Sequence, residues 1–268
     1  MNKFFKYTLL LASTVFFLSC TDKNDNFVAL SIEQDIELGM QVSNEIESDP
    51  ATYPILDEVE YADAYSYLGN LVDQILESGA VTYRDEFVWQ FKIIDDSVLN
   101  AFATPGGYIY VYTGLIKYLE KEDDFMGVLG HEIAHADLRH TSRNIQRSYA
   151  LNILLSILVG GESSQLEQIA AQLAGNLSGL AFSREFESEA DDQSVVYLAE
   201  TDYACNGAAG FFQQLIDEEL AGNQPQFLST HPNPDNRVAD INEQADEVGC
   251  SKTILDPVTY EDFKNMLP

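Results

Sequence analysis

Two histidines four residues apart inside an apolar run constrain this chain more than any other feature: HEIAH, His131 to His135, within DDFMGVLGHEIAHADLRHTSR (residues 123–143). On an α-helix, residues i and i+4 share a face, so both imidazoles point the same way while Glu132 lies about 100° round the helix. Such a turn suits a zinc ion. Neutral imidazole binds zinc at about 2.0–2.1 Å, the metal lowers the pKa of its water to about 7, and a carboxylate takes the proton. The pattern therefore points to hydrolysis of a peptide bond, with His131 and His135 as ligands and Glu132 as general base. The chain has four histidines in all, and this pair uses half of them.

The amino terminus bounds where such chemistry would occur. MNKFFKYTLLLASTVFFLSC places Lys3 and Lys6 before an apolar run that ends at Ser19-Cys20. That run is too short for a good membrane span and reads as a signal peptide over residues 1–19, with a lipoprotein-type site at Cys20. Residues 20–27 then form the lipid anchor and tether, and residues 28–268 a single domain. Losing residues 1–19 removes two lysines and no acids, taking the net charge from −30 to −32. This balance excludes nucleic acid as a partner and leaves membrane attachment to acyl chains rather than to a basic face. Cys205 and Cys250 remain, an even pair in an exported chain, which makes a disulfide plausible. Closing that loop would stabilise the fold by roughly 4 kcal/mol in the chain-entropy model.

Periodicity supplies the frame. Ser31 and Gln34 form a capping-box signature before a helix whose face carries Ile32, Ile36, Met40 and Ile46. A second helix, from about Glu58 to Ser78, carries Tyr61, Ala64, Tyr65, Leu68, Leu71, Val72, Ile75 and Leu76 and stops at Gly79. The period then becomes two. FVWQFKIID and GYIYVYTG read as strands, with NAFATPGG (residues 100–107) as the turn between them. An extended substrate pairs with an edge strand, and the second strand, flanked by Asn100 and Gly107, is the candidate edge. Its stripe Tyr108, Tyr110, Tyr112 reads mainly as packing. Thr113 is placed to cap a short helix, and Asp123 or Asp124 to start the metal helix. The apolar run at residues 148–161 is half a membrane span, either a buried helix or a lid over the cleft.

A catalytic zinc takes three protein ligands and leaves one position open. In AFSREFESEADDQSVVYL, Glu187 and Asp191 stand at i, i+4; Glu187 at the metal would let Asp191 reach the free ring N–H of a ligand histidine. Spacing leaves Glu185 and Glu189 as alternatives. His140, five residues past His135, lies off the ligand face and reads as a group behind a ligand or as a structural one. His231, between Thr230 and Pro232, reads as a turn residue, and Arg237 as the partner of a site acid or, slightly favoured, of a surface carboxylate.

HEIAH, NAFATPGGYIYVYTGL, SREFESEAD and THPNPDNR occur in the same order as in the HtpX-like and CAAX-prenyl-endopeptidase family of zinc metalloendopeptidases, and they resemble its periplasmic lipoprotein branch most closely. The resemblance spans roughly residues 28–250. It implies an α+β, mainly helical gluzincin fold with a small mixed sheet whose edge strand lines the cleft. It implies one zinc ion per chain held by His131, His135 and Glu187, with Glu132 as base and Asp191 behind a ligand. His231 would be a catalytic group or a fourth ligand that gates the site. The chain ends at Pro268, so no appended repeat domain is expected. The implied protein is a lipid-anchored endopeptidase on the periplasmic or outer side of a bacterial envelope, acting on unfolded or misassembled envelope proteins. The rival is a zinc-bearing chaperone whose proteolysis is minor or blocked.

Overall fold

The structure is a computed structural model that describes residues 28–148, 163–177, 181–217, 226–232, 236–253 and 258–268. The signal-like segment, Cys20, the tether and the apolar run after Ser148 lie outside the described residues.

Helix α1, Ile32–Glu47, begins with the capping box: the Gln34 amide donates to Ser31 Oγ and the Ser31 amide to the Gln34 side chain at 2.9 Å. Its buried face is Asp35, Leu38, Gly39, Val42, Ser43 and Ile46, not the Ile32, Ile36, Met40 stripe; Met40 is 49% exposed. Two periodic stripes were available. The one that wins includes Asp35, which is buried because Arg139 pairs with it at 2.6 Å. Helix α2, Ala62–Leu76, buries the expected face, and Gly79 follows it with φ +80°.

Three strands form one mixed sheet: β1 Gln90–Ile94, β2 Ala101–Thr104 and β3 Tyr108–Tyr112. β3 is the middle strand, parallel to β1 and antiparallel to β2. This corrects two expectations. Most of the segment expected to be a turn is β2, and only Pro105 to Gly107 turn, with φ of +76° and +91° at the two glycines. The strand expected at the edge is central, and β2 takes that place. A four-residue strand buried on both faces has no alternation to reveal it.

β3 divides the apolar interior. Ile109 and Val111 face α2 and the helices around HEIAH; Tyr108, Tyr110 and Tyr112 face α1 and helix α6, Ser163–Ala174. Tyr110 stacks on Phe102 with ring centroids 4.7 Å apart and shares a hydrogen bond with Ser43. The tyrosine stripe is packing.

After the short α3, Thr113–Tyr118, comes α4, Glu122–Asp137, in which every residue is buried. Neither helix is capped as expected. Thr113 is the first residue of α3 and donates to the Asp96 carbonyl, and α4 has no side-chain cap. α4 packs between α7, Arg184–Leu198, and α8, Gly207–Asp217. Contact with α8 is backbone to backbone: a Cβ on Gly127 would lie 1.9 Å from the Ala208 nitrogen. α5, His140–Ser148, follows α4; α9, Gln226–Thr230, α10, Arg237–Val248, and α11, Val258–Asn265, complete the chain. A disulfide joins Cys205, ahead of α8, to Cys250, after α10. No helix among the described residues is long and apolar enough to cross a membrane.

Candidate metal centre

One turn of α4 brings His131 Nε2 and His135 Nε2 to 2.9 Å. Ser183 caps α7 by accepting from the Phe186 amide, and Glu187 enters from that first turn. Its Oε1 lies 3.5 Å from His135 Nε2 and its Oε2 3.6 Å from His131 Nε2. Glu185, on the same turn, is exposed and pairs with Arg147. Glu189 lies beyond His140 and pairs with Arg143. Of the three acids that spacing left open, only Glu187 faces His131 and His135.

His231 joins them. Its Nδ1 is 3.2 Å from His131 Nε2 and 3.1 Å from Glu187 Oε1. Backbone bonds hold it there: the His231 amide donates to the Phe227 carbonyl at 2.7 Å, the Phe227 amide to Leu99 ahead of β2, and the Phe182 amide to Thr230. The His231 ring stacks on Phe227 with centroids 4.3 Å apart. Leu99 and Phe182 carried no sequence signal for this role, because each comes from a segment far from His231 in the chain.

The four donor atoms lie within 4.8 Å of one another. Tetrahedral zinc with bonds of about 2.0–2.1 Å would set its ligand atoms about 3.3 Å apart, close to the separations here. The donor set, three imidazoles and a carboxylate, also fits a cation. Burial works against a charged His131, yet Asp191 and Glu187 outweigh it and hold that ring up at about 9, while burial and the His131 charge keep His135 well below its usual value. Burial would raise Glu187, but the neighbouring histidines hold it well below the carboxylate range. The residues present can hold a metal ion.

Glu132 is fully buried, and neither carboxylate oxygen has a hydrogen-bond partner among the described residues; Oε1 lies 3.5 Å from His231 Nε2, itself without one. Leaving a buried carboxylate unpaired is costly, and burial pushes its pKa up.

Each α4 histidine also has a partner behind it. Asp191 Oδ1 is 2.8 Å from His131 Nδ1, and Arg237 grips Asp191 through Nε at 2.5 Å and a terminal nitrogen at 2.8 Å. The same guanidinium lies 3.0 Å from Glu187 Oε2 and over the Phe212 ring. Arg237 thus pairs with acids of the site, not with a surface carboxylate as the sequence slightly favoured; the first turn of α10 faces inward, which no local pattern announces. His140 Nδ1 stands 2.9 Å from His135 Nδ1.

Asn100 and Gly107 do not reach the cluster. The Asn100 carbonyl accepts from the Tyr112 amide, and Gly107 turns the hairpin beside Trp89. Between them, β2 lines a narrow, mostly apolar cleft with a cavity volume of about 20 Å³, together with Val42, Leu173, Phe182 and His231.

The sequence profile of peptidase family M48 matches residues 65–245. The putative beta-barrel assembly-enhancing protease of Vibrio cholerae is 30% identical over 222 residues, 73% of this chain and 45% of that protein. The beta-barrel assembly-enhancing protease of Escherichia coli (strain K12) is 28% identical over 82% of this chain and 45% of that protein. Human metalloendopeptidase OMA1, mitochondrial, is 30% identical over 56% of this chain and 31% of its own length. The chain thus spans less than half the length of these curated relatives. The shared family is M48 as a whole, a broader match than the HtpX and CAAX resemblance.

Proposed function

Because this chain belongs to peptidase family M48, we propose that it is a zinc-dependent endopeptidase, with His131, His135 and Glu187 as ligands and Glu132 as general base. The observation that carries this reading is the Glu132 carboxylate, buried without a hydrogen-bond partner beside the His-His-Glu-His cluster. Bound zinc supplies a Lewis acid that polarises the scissile carbonyl and acidifies water. Glu132 takes the proton of the attacking water onto its carboxylate and hands it to the leaving amine nitrogen. Asp191, clamped by Arg237, holds His131 with Nε2 toward the cluster. An extended peptide lies along β2, the edge strand of the cleft.

The substrates are unfolded or misassembled envelope proteins, and the chain is tethered through a lipidated Cys20 to a bacterial envelope membrane, on its periplasmic or outer side. The names of the Vibrio and Escherichia relatives, proteases that enhance beta-barrel assembly, support polypeptide substrates of that kind, and the amino-terminal sequence supports the tether. His231 sits where it either stabilises the transition state or holds the site off. The complete burial of Glu132 and His231 favours keeping the second reading, a chaperone with blocked proteolysis.

Metal analysis and casein digestion with and without chelator test the proposal. About one zinc per chain and chelator-sensitive cleavage are expected; no zinc would sink it. Glu132→Gln that keeps an envelope phenotype without proteolysis would favour the chaperone. His231→Ala with unchanged zinc coordination and rate would remove the gating role.

A further inference from the structure

His140 has no part in the chemistry above, yet its placement is costly. α4 ends at Asp137, and Arg139 then adopts φ +58°, a left-handed conformation that non-glycine residues seldom take. Were the helix continued, position 140 would lie about 140° round from His135 and could not meet it. The break at Arg139 is held by Asp35 in the first turn of α1, at 2.6 Å from its Nε, and by the Leu30 carbonyl just ahead of that helix. What it achieves is a contact: His140 Nδ1 stands 2.9 Å from His135 Nδ1.

The proton positions follow from that contact. His135 Nε2 faces the cluster, so with Nε2 on a metal the ring proton is on Nδ1. His140 Nδ1 must then be bare to accept it, which puts the His140 proton on Nε2, 3.0 Å from Glu189 Oε2. Glu189 is fixed in turn by Arg143 at 2.6 Å. The His140 ring is clamped flat against Phe186, centroids 4.5 Å apart and planes 9° from parallel. Every link has one direction of donation available to it.

We propose that His140 is a positioning residue for the metal centre: its imidazole, oriented by Glu189, accepts the Nδ1–H of His135 and thereby fixes the ring and tautomer of that ligand. The assignment rests on the zinc reading above and extends it to a pair that the ligand pattern does not contain. Partners behind a ligand histidine typically change metal affinity 10–100-fold.

The test is zinc affinity by chelator competition on the full chain, with circular dichroism and thermal unfolding of each metal-free variant as controls. His140→Leu should bind zinc 10–100-fold more weakly. His140→Asn, whose side-chain oxygen can take the place of Nδ1, should recover most of that loss. Glu189→Ala should fall between wild type and His140→Leu. In ¹⁵N imidazole spectra of the zinc-loaded protein, a solvent-protected Nδ1–H of His135 should be seen in wild type and lost in His140→Leu. Wild-type affinity in His140→Leu, or His140→Asn as weak as His140→Leu, would overturn the positioning role. If His140→Leu fails to fold, unchanged affinity in Glu189→Ala overturns it instead. Failure of wild type to bind zinc would remove the metal reading itself, a result distinct from either.

Discussion

The two histidines of α4 are backed in different ways. Behind His131 stands a carboxylate, Asp191, clamped by Arg237, with both side chains almost wholly buried. Behind His135 stands another imidazole, His140, and the charge comes one residue further out, at Glu189 and Arg143, where the Glu189 side chain is 36% exposed. Burial lowers both rings; Asp191 and Glu187 outweigh it at His131 and lift that ring to about 9, whereas at His135 burial and the His131 charge prevail and keep it well below the usual value. Water screens the outer pair and cannot reach the inner one, so charge placed deep decides stability and charge placed at the rim decides orientation.

Four measurements break or sharpen that contrast, the largest effect first. Glu132→Gln lies between the two supports and should cut peptide hydrolysis by about 10²–10⁴-fold while leaving zinc content near wild type. Loss of zinc in that variant would mean that the supports do not act on a common centre. Arg237→Met strips the buried side of its cation and should destabilise the metal-free protein by about 3–5 kcal/mol in urea unfolding, because Asp191 and Glu187 are left buried together. A cost below about 1 kcal/mol would erase the difference between the two sides.

Asp124, at the other end of α4, shows a buried carboxylate without such a clamp. Burial is the main cause of its rise to about 6; Lys121 lowers it, and Asp123 and Glu120 raise it. Its folded pKa exceeds the unfolded value, so the folded state binds more protons between about 4 and 6 and stability falls as pH rises through that window. Asp124→Asn should therefore raise the unfolding temperature at pH 7, by the equivalent of about 1–3 kcal/mol, and change little near pH 4. The reverse pH trend would disprove the assignment. The smallest effect belongs to the rim. His140 and Arg143 hold Glu189 down to about 2, so its contribution is present above about pH 4.5 and fades as pH falls toward 2. Glu189→Ala should cost no more than about 1 kcal/mol at neutral pH, and less still in high salt.

Much of the frame was legible. The α2 stripe and the capping box follow from local chemistry and periodicity, the α+β layout with a small mixed sheet follows from the family resemblance, and the structure has all three. α4 itself is the exception: with every residue buried it has no polar face, so periodicity says only that it is central. The order of the strands and the true face of α1 were not readable, since the first depends on which segment pairs with β3 and the second on an ion pair 104 residues apart.

At the metal centre the division is the same. The sequence by itself determined that His131, Glu132 and His135 share one helical turn and that an acid near Glu187 can meet them, because helix geometry converts a spacing of four into a common face. Spacing left open which acid that is, and the resemblance pointed to Glu187 and to His231; only the tertiary structure brought both into one cluster and set Arg237 and His140 behind its two α4 histidines. Those contacts join α4 to α7, α9 and α10 and depend on a backbone break at Arg139, and no short-range pattern encodes the approach of residues brought together only by packing.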